Sequence, residues 1–232
     1  MSKKVISFSL YGNDQKYIFG MKKNIELIPQ FYEDEWKIRI YLDSTVGEEN
    51  IQYFKTQRNV ETFDMTGKKI PGMFWRFIPF IDSSVDIFCV RDADSRPSLR
   101  EKAAVDEWLK QGTSLHAMRD HPHHNYVVMG GMFGFNKVNG TFNFAQEFNN
   151  FIYNGYEFKK MDDMIFLQKL YLKFYMSTTD HDSYPRSIYD NNGSKFLTIS
   201  QPYPIERKNR EEGFIGEIFD ENDIPMFHRE LL

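Results

Sequence analysis

The stretch "DIFCVRDADSRPSLREKAAVDEW", residues 86–108, decides the fold and frames the functional question. An apolar run over residues 87–90 stops at a charged knot, Arg91-Asp92-Ala93-Asp94-Ser95-Arg96, and after Pro97 the chain reads as a helix over 99–111. A strand apolar on both faces belongs in the middle of a covered sheet, and a helix directly after it is half of a crossover. In such sheets ligands sit beyond the carboxyl ends of the strands, which is where the knot lies. Asp92 and Asp94, two apart on an extended segment, share a face. They raise one another's pKa unless a cation compensates them. That cation is either an arginine (Arg91, Arg96 or Arg100) in a solvated ion-pair cluster, or a divalent metal. Hard carboxylate oxygens suit Mg²⁺ or Mn²⁺.

Outward from the knot, strands keep alternating with helices. Residues 5–12 read as a first strand ending in a glycine turn, and 16–31 as a helix with Tyr17, Met21, Ile25 and Ile28 on one face. Residues 36–43 alternate as a second strand. A short helix over 50–57, a third strand over 59–65 and an aromatic stretch over 72–81, helical around 75–80, follow. Residues 114–120 and 126–135 read as strands around a His/Pro loop, and 142–153 and 162–174 as helices. From 177 onward come short strands, turns and charged stretches. The pattern predicts an α/β fold, one domain over 1–232, with a mixed, mainly parallel central sheet flanked by helices.

With 232 residues, 41% of them hydrophobic, 22 Phe and 13 Tyr, the chain is long and apolar enough to bury a sizeable core. Its net charge of −4 argues against a general nucleic-acid binder. The single cysteine, Cys89, lies within the apolar run, so no internal disulfide framework exists and the residue reads as a small buried hydrophobe in a reducing compartment. "MSKKVISFSLYGND" is too short and polar in its apolar part for a signal peptide, and no run approaches the ~18 apolar residues of a membrane span. A soluble, cytoplasmic protein (the host cytoplasm, for a viral chain) with no integral membrane segment is the expectation.

Two enzyme classes place Asp-x-Asp at a strand end. In haloacid dehalogenase-type phosphatases the motif lies near the N-terminus with Thr or Val two residues beyond it, whereas here it lies mid-chain and Arg96 occupies that place. The wider segment instead resembles small GT-A-fold glycosyltransferases of bacterial polysaccharide loci and large algal DNA viruses. The resemblance rests on Trp75-Arg76-Phe77, the knot itself, Arg100-Glu101, Glu107-Trp108, Arg119-Asp120-His121-Pro122, His124 and Gly130-Gly131-Met132-Phe133-Gly134. It continues in Asp163 with Phe166-Leu167, His181-Asp182, Pro204 with Arg207, and "FIGEIFDENDIP" (214–225). The chain departs from the family's pattern at Met161-Asp162-Asp163-Met164, where Met164 replaces an expected amide and Asp162 competes with Asp163 for the acidic role.

The resemblance implies a Rossmann-like GT-A domain. A nucleotide-binding half, 1–95, would end in the Asp-x-Asp, and a donor-sugar and acceptor half, 96–232, would follow. It implies a hexosyl- or pentosyltransferase using a nucleoside-diphosphate sugar, UDP-linked by default and GDP-linked otherwise, with Mn²⁺ or Mg²⁺ and a glycan or other hydroxyl acceptor. Asp94 would contact the metal, Asp92 the metal or the ribose, and His181 would complete the metal shell. Tyr11, Gly12 and Tyr17 would frame base and ribose, with Ala93 beside them. Arg76 would reach the diphosphate as a planar fork, Arg119 and Asp120 would bind donor hydroxyls, and Gly130 and Gly131 would let backbone approach the ligand. Arg207 would support phosphate or the metal loop, with Lys208 and Arg210 at the surface. Asp163, or Asp162, would be the general base of an inverting enzyme or orient the acceptor in a retaining one. The histidines of the 116–124 stretch lack the spacing of a zinc site. Two alternatives stand: a sugar nucleotidyltransferase, disfavoured by the single glycine of "SLYGNDQKY", and a non-catalytic nucleotide-sugar-binding module with a degraded site, favoured if both aspartates are paired with arginines and unable to bind metal.

Overall fold

The computed structural model describes residues 2–139, 144–153, 158–159, 161–184, 187–189, 195–197 and 200–226. In chain order these form β1 (Lys4–Leu10), α1 (Gln15–Phe31), β2 (Trp36–Leu42), α2 (Glu48–Lys55), β3 (Val60–Asp64), α3 (Gly72–Trp75), β4 (Ile87–Arg91) and α4 (Leu99–Gln111). After these come β5 (Leu115–Arg119), β6 (Met132–Asn136), α5 (Phe144–Ile152), α6 (Asp162–Phe174), β7 (Thr178–Asp182), β8 (Ser187–Tyr189) and β9 (Lys195–Leu197). Among the described residues β1–β7 make one seven-stranded sheet in the order β3-β2-β1-β4-β6-β5-β7. Its pairs are parallel except those of β6, which runs antiparallel to both β4 and β5. This is the mixed, mainly parallel α/β sheet flanked by helices that the strand–helix alternation predicts. The β4–β6 ladder carries it across the boundary expected at residue 95.

Strand parity divides the core. On β1 and β4, Ile6, Phe8, Leu10, Ile87 and Cys89 pack with α1, α2 and Trp108 of α4. Val5, Phe88 and Val90 face the other way, into a phenylalanine-rich core with α3, α5 and α6. β4 is buried at every position, as its unbroken apolar run demands. Cys89 is fully buried, and burial pushes its thiol up to about 12, consistent with a packing role.

Several expectations shift. The buried face of α1 is Ile18, Gly20, Met21, Asn24 and Ile28, while Tyr17 is partly exposed. The cause is polar packing. A Cβ at Gly20 would overlap the Ala93 carbonyl, and the Asn24 amide donates to the carbonyls of Gly20, Ala93 and Ser95 at 3.0, 3.0 and 2.9 Å. The strand expected over 126–135 begins only at Met132, because 126–131 forms a loop over the end of the sheet. The helix expected over 142–153 is observed as Phe144–Ile152, and 142–143 lie outside the described residues.

Candidate active site

β1 and β4 run side by side in parallel, so their carboxyl ends open at the same end of the sheet. On the outgoing face of β1 the core residue Val5 gives way to Ser7 and Ser9. The Ser7 hydroxyl donates to the Arg76 carbonyl at 2.8 Å, and the Arg76 N–H donates to the Ser9 hydroxyl at 2.9 Å. Two serines thus fix the backbone of Arg76 just after α3, beside Trp75, whose indole N–H donates to the Ile70 carbonyl at 2.6 Å. Asp92 continues the Phe88–Val90 face of β4 towards the same side. The Arg76 guanidinium bridges two carboxylates, pairing through Nη1 with Asp92 and through Nη2 with Asp163 at 2.9 Å. Asp163 stands in the first turn of α6.

Gly130 and Gly131 cover this bridge. A Cβ on Gly130 would stand 2.5 Å from Asp163 Oδ2, and one on Gly131 would overlap the Asp92 carboxylate. A side chain at either position would displace the carboxylate beneath it. Arg76 and Asp92 lie between two clefts and line both. The first, about 220 Å³, adds Ser9, Leu10, Tyr11, Tyr17, Met73 and Ala93. The second, about 250 Å³, adds His123, His124, Asp163, both glycines and an apolar wall that includes Met129, Met132, Phe214 and Ile218. The Asp92 side chain is 44% exposed, against 7% for Asp163.

Asp94 turns the other way and is nearly buried, 2.9 Å from the Lys16 ammonium. Burial, and then the charge of Asp92, raise its carboxyl above the ordinary range, with Lys16 opposing. Burial alone would lower the Lys16 ammonium, but Asp94 outweighs it and holds it above its usual value. The two aspartates are thus compensated by Arg76 and Lys16. The three arginines nearest in sequence do other work. Arg91 pairs with buried Glu101, Arg96 with Asp223, and Arg100 with Asp120. Lys16 is the residue that sequence reasoning missed. The signal available was a lone Lys-Tyr pair just past the glycine turn of the first strand.

The other expected residues divide sharply. Tyr11, Tyr17, Arg76, Asp92, Ala93, Gly130, Gly131 and Asp163 line the two clefts. Gly12 sits in the β1 turn with φ +78°, its N–H donating to the Thr45 hydroxyl at 2.6 Å. Asp162 is buried but turned back on its own loop, accepting from the Lys159 N–H at 2.6 Å, so Asp163 is the acid of the cleft. Arg119 and Asp120 are fully buried away from both clefts. Arg119 is taken by Asp180, Asp182 and the Val127 carbonyl. Asp120 is taken by Arg100, Ser183, Arg207 and the Ile215 N–H. Arg207 borders a separate groove with Tyr184 and Tyr203.

His181 lies on the opposite side of the sheet from Arg76 and Asp163. Along β7, Asp180 turns to Tyr171 of α6, while His181 turns to α4. Its ring nitrogens meet His116 at 2.8 Å, Glu107 at 3.1 Å and Gln201 at 3.0 Å, and Tyr203 stacks on the ring. It does not join Asp92 and Asp94. Among the described residues no group of three or more His, Cys, Asp or Glu is arranged to hold a metal. Asp92 and Asp94 carry hard carboxylate oxygens of the kind that suit Mg²⁺ or Mn²⁺, although each is turned to a different cation of the chain. Such ions are commonly held by one or two carboxylates plus substrate phosphates, with no third protein ligand.

No family model matches the sequence, and no curated protein matches it. Solved structures with a partly similar course of chain include the galactosyltransferase LgtC in complex with donor and acceptor sugar analogs (15% identity, 76% of this chain and 73% of that one, TM-score 0.47). Another is S. aureus TarS 1–349 (11% identity, 74% of this chain and 56% of that one, TM-score 0.47). A third is the 4-diphosphocytidyl-2C-methyl-D-erythritol synthase of Anaerococcus prevotii (9% identity, 85% and 94%, TM-score 0.47). At these scores and identities the likenesses concern the backbone alone and assign no activity.

Proposed function

We propose that this chain is a glycosyltransferase that moves a sugar from a nucleoside-diphosphate sugar, UDP-linked by default, to a hydroxyl of a glycan or similar acceptor. The observation that carries the reading is the Asp92–Arg76–Asp163 bridge at the meeting point of two clefts, beyond the carboxyl ends of β1 and β4. The first cleft offers two partly exposed tyrosines on which a base and ribose can rest. The second offers a carboxylate at its wall and close backbone approach at the glycines.

Asp92 and Asp94 would hold Mn²⁺ or Mg²⁺ together with the diphosphate. Such an ion, once bound, neutralises charge on the departing nucleoside diphosphate. Arg76 supplies a second, fixed positive charge to the same leaving group through its planar donors. In the transfer, the acceptor oxygen bonds to the anomeric carbon as the bond from that carbon to the diphosphate oxygen breaks, and the electron pair leaves with the nucleoside diphosphate. With inversion the acceptor's proton passes to Asp163 Oδ; with retention it passes to the departing diphosphate oxygen, and Asp163 orients the acceptor. Arg76 holds the Asp163 carboxylate in place in either case.

A non-catalytic nucleotide-sugar-binding module is the second reading. The pairing of both aspartates with cations of the chain favours it. Thermal unfolding with a panel of nucleotide sugars, with and without Mn²⁺, separates the two. The enzyme reading expects one donor to stabilise the wild type only when Mn²⁺ is present, and Asp94→Ala to lose that shift. A donor shift indifferent to Mn²⁺, or one that survives Asp94→Ala in full, leaves the binding module.

A further inference from the structure

Arg76 holds its two carboxylates unequally. Asp163 is nearly buried and also accepts the Met164 N–H at 3.0 Å, so that half of the bridge is built into the start of α6. Asp92 has a half-exposed side chain at the junction of the clefts, and its ion pair with Arg76 can be exchanged for another. The Arg76 Nε is buried and has no hydrogen-bond partner. An unmet buried donor is unfavourable, so the ligand-free arrangement leaves this guanidinium short of an acceptor. Its backbone is pinned by Ser7 and Ser9, and a change of partner therefore needs only side-chain torsions.

We infer that Arg76 is an internal competitor for the cation at Asp92: it compensates that carboxylate while no ligand is bound, and transfers to the donor's diphosphate when metal and donor bind together. The inference rests on the proposed nucleotide-sugar site and adds how that site is regulated. A metal ion arriving alone takes Asp92 from Arg76 and leaves a buried guanidinium with one partner. A nucleoside diphosphate arriving with it offers phosphate oxygens to the freed Nη1 and to Nε, in charge-assisted bonds stronger than neutral ones. Metal and nucleotide therefore enhance each other's binding, and by linkage the enhancement is mutual. The bridge also ties the two carboxylates together. Release of Asp92 leaves Arg76 shared between the diphosphate and Asp163, so a donor in the first cleft is tied directly to the acid of the second.

The test is the electron paramagnetic resonance signal of free Mn²⁺, titrated with wild type, Arg76→Gln, Asp163→Asn and Asp92→Asn. Each titration is run with and without UDP and corrected for Mn²⁺–UDP formed in the absence of protein. Far-UV circular dichroism checks that each variant is folded. Arg76→Gln is expected to bind Mn²⁺ without UDP roughly tenfold more tightly, the worth of one released charge-assisted bond, and to lose most of the enhancement that UDP brings. Asp163→Asn leaves Arg76 with Asp92 as its sole carboxylate and is expected to weaken Mn²⁺ binding without UDP. This opposite sign keeps the test decisive should Arg76→Gln fail to fold. Equal Mn²⁺ affinity in wild type and Arg76→Gln, with loss in Asp92→Asn, overturns the competition and leaves the metal site standing. Absence of Mn²⁺ binding in every protein, with UDP or without, removes the nucleotide-sugar reading and the competitor with it.

Discussion

At the end of β4, Asp92 stands half-exposed between two clefts, held by a guanidinium with an unmet donor. At the ends of β5 and β7, Arg119, Asp120 and Asp182 carry as much charge but are buried, and their partners are other parts of the chain. Both sets follow buried strands and look alike in sequence. The difference lies in what surrounds them. Gly130 and Gly131 hold space open over Asp92, whereas the loop carbonyl of Val127 and the N–H of Ile215 close over Arg119 and Asp120. Charge at a strand end becomes a ligand site where a partner can be exchanged, and a tie between elements where none can.

The closed set yields the largest effect. Arg119→Ala leaves Asp180 and Asp182 uncompensated under Tyr171, and is expected to cost about 3–5 kcal/mol in urea unfolding. The molecules that remain folded should still bind the donor. If stability is unchanged and donor binding is lost, Arg119 belongs to the site and the contrast fails. The open set answers differently. Gly131→Ala pushes Asp92 out of place, and should cost on the order of 100-fold in transfer rate with little loss of unfolding midpoint. A variant that unfolds but keeps its specific activity would reverse that assignment.

The smallest effect is a pH dependence of the closed side. His116 is fully buried against Trp108, and burial, then His181 and Arg91, hold its imidazole well below 6.5. Burial also lowers His181, against the opposing pull of Glu107. Folded-state pKa values below the unfolded value mean that the unfolded chain binds more protons in acid. Stability from this pair is present above about pH 6.5 and declines as pH falls, at up to ~1.4 kcal/mol per pH unit for each proton. Urea midpoints measured at pH 8 and pH 5.5 should differ in that direction, and His116→Gln should narrow the gap.

The fold was legible where apolar patterning dominates. The unbroken run of β4 places it mid-sheet, and the alternating strands and helices give the α/β class. The face of α1 was not legible, because the positions that pack against the knot are Gly20 and Asn24, chosen for close approach and amide donors, while apolar Tyr17 is free to line a cleft. His181 failed for a related reason. The strand "TTDHD" is polar at every position, so nothing in it tells which residues face α6 and which face α4. The knot's compensating charges were hidden by distance. Arg76 pairs with Asp163 across 87 residues, and Lys16 comes from the first helix, whereas the adjacent arginines are committed elsewhere.

The most direct test of the central claim is Mn²⁺-dependent release of nucleoside diphosphate from the preferred nucleotide sugar, compared in Asp94→Ala and His181→Gln at matched folded concentration. The account predicts that release is abolished in Asp94→Ala and persists in His181→Gln. Release that survives Asp94→Ala, or that disappears with His181→Gln in a folded protein, would contradict it.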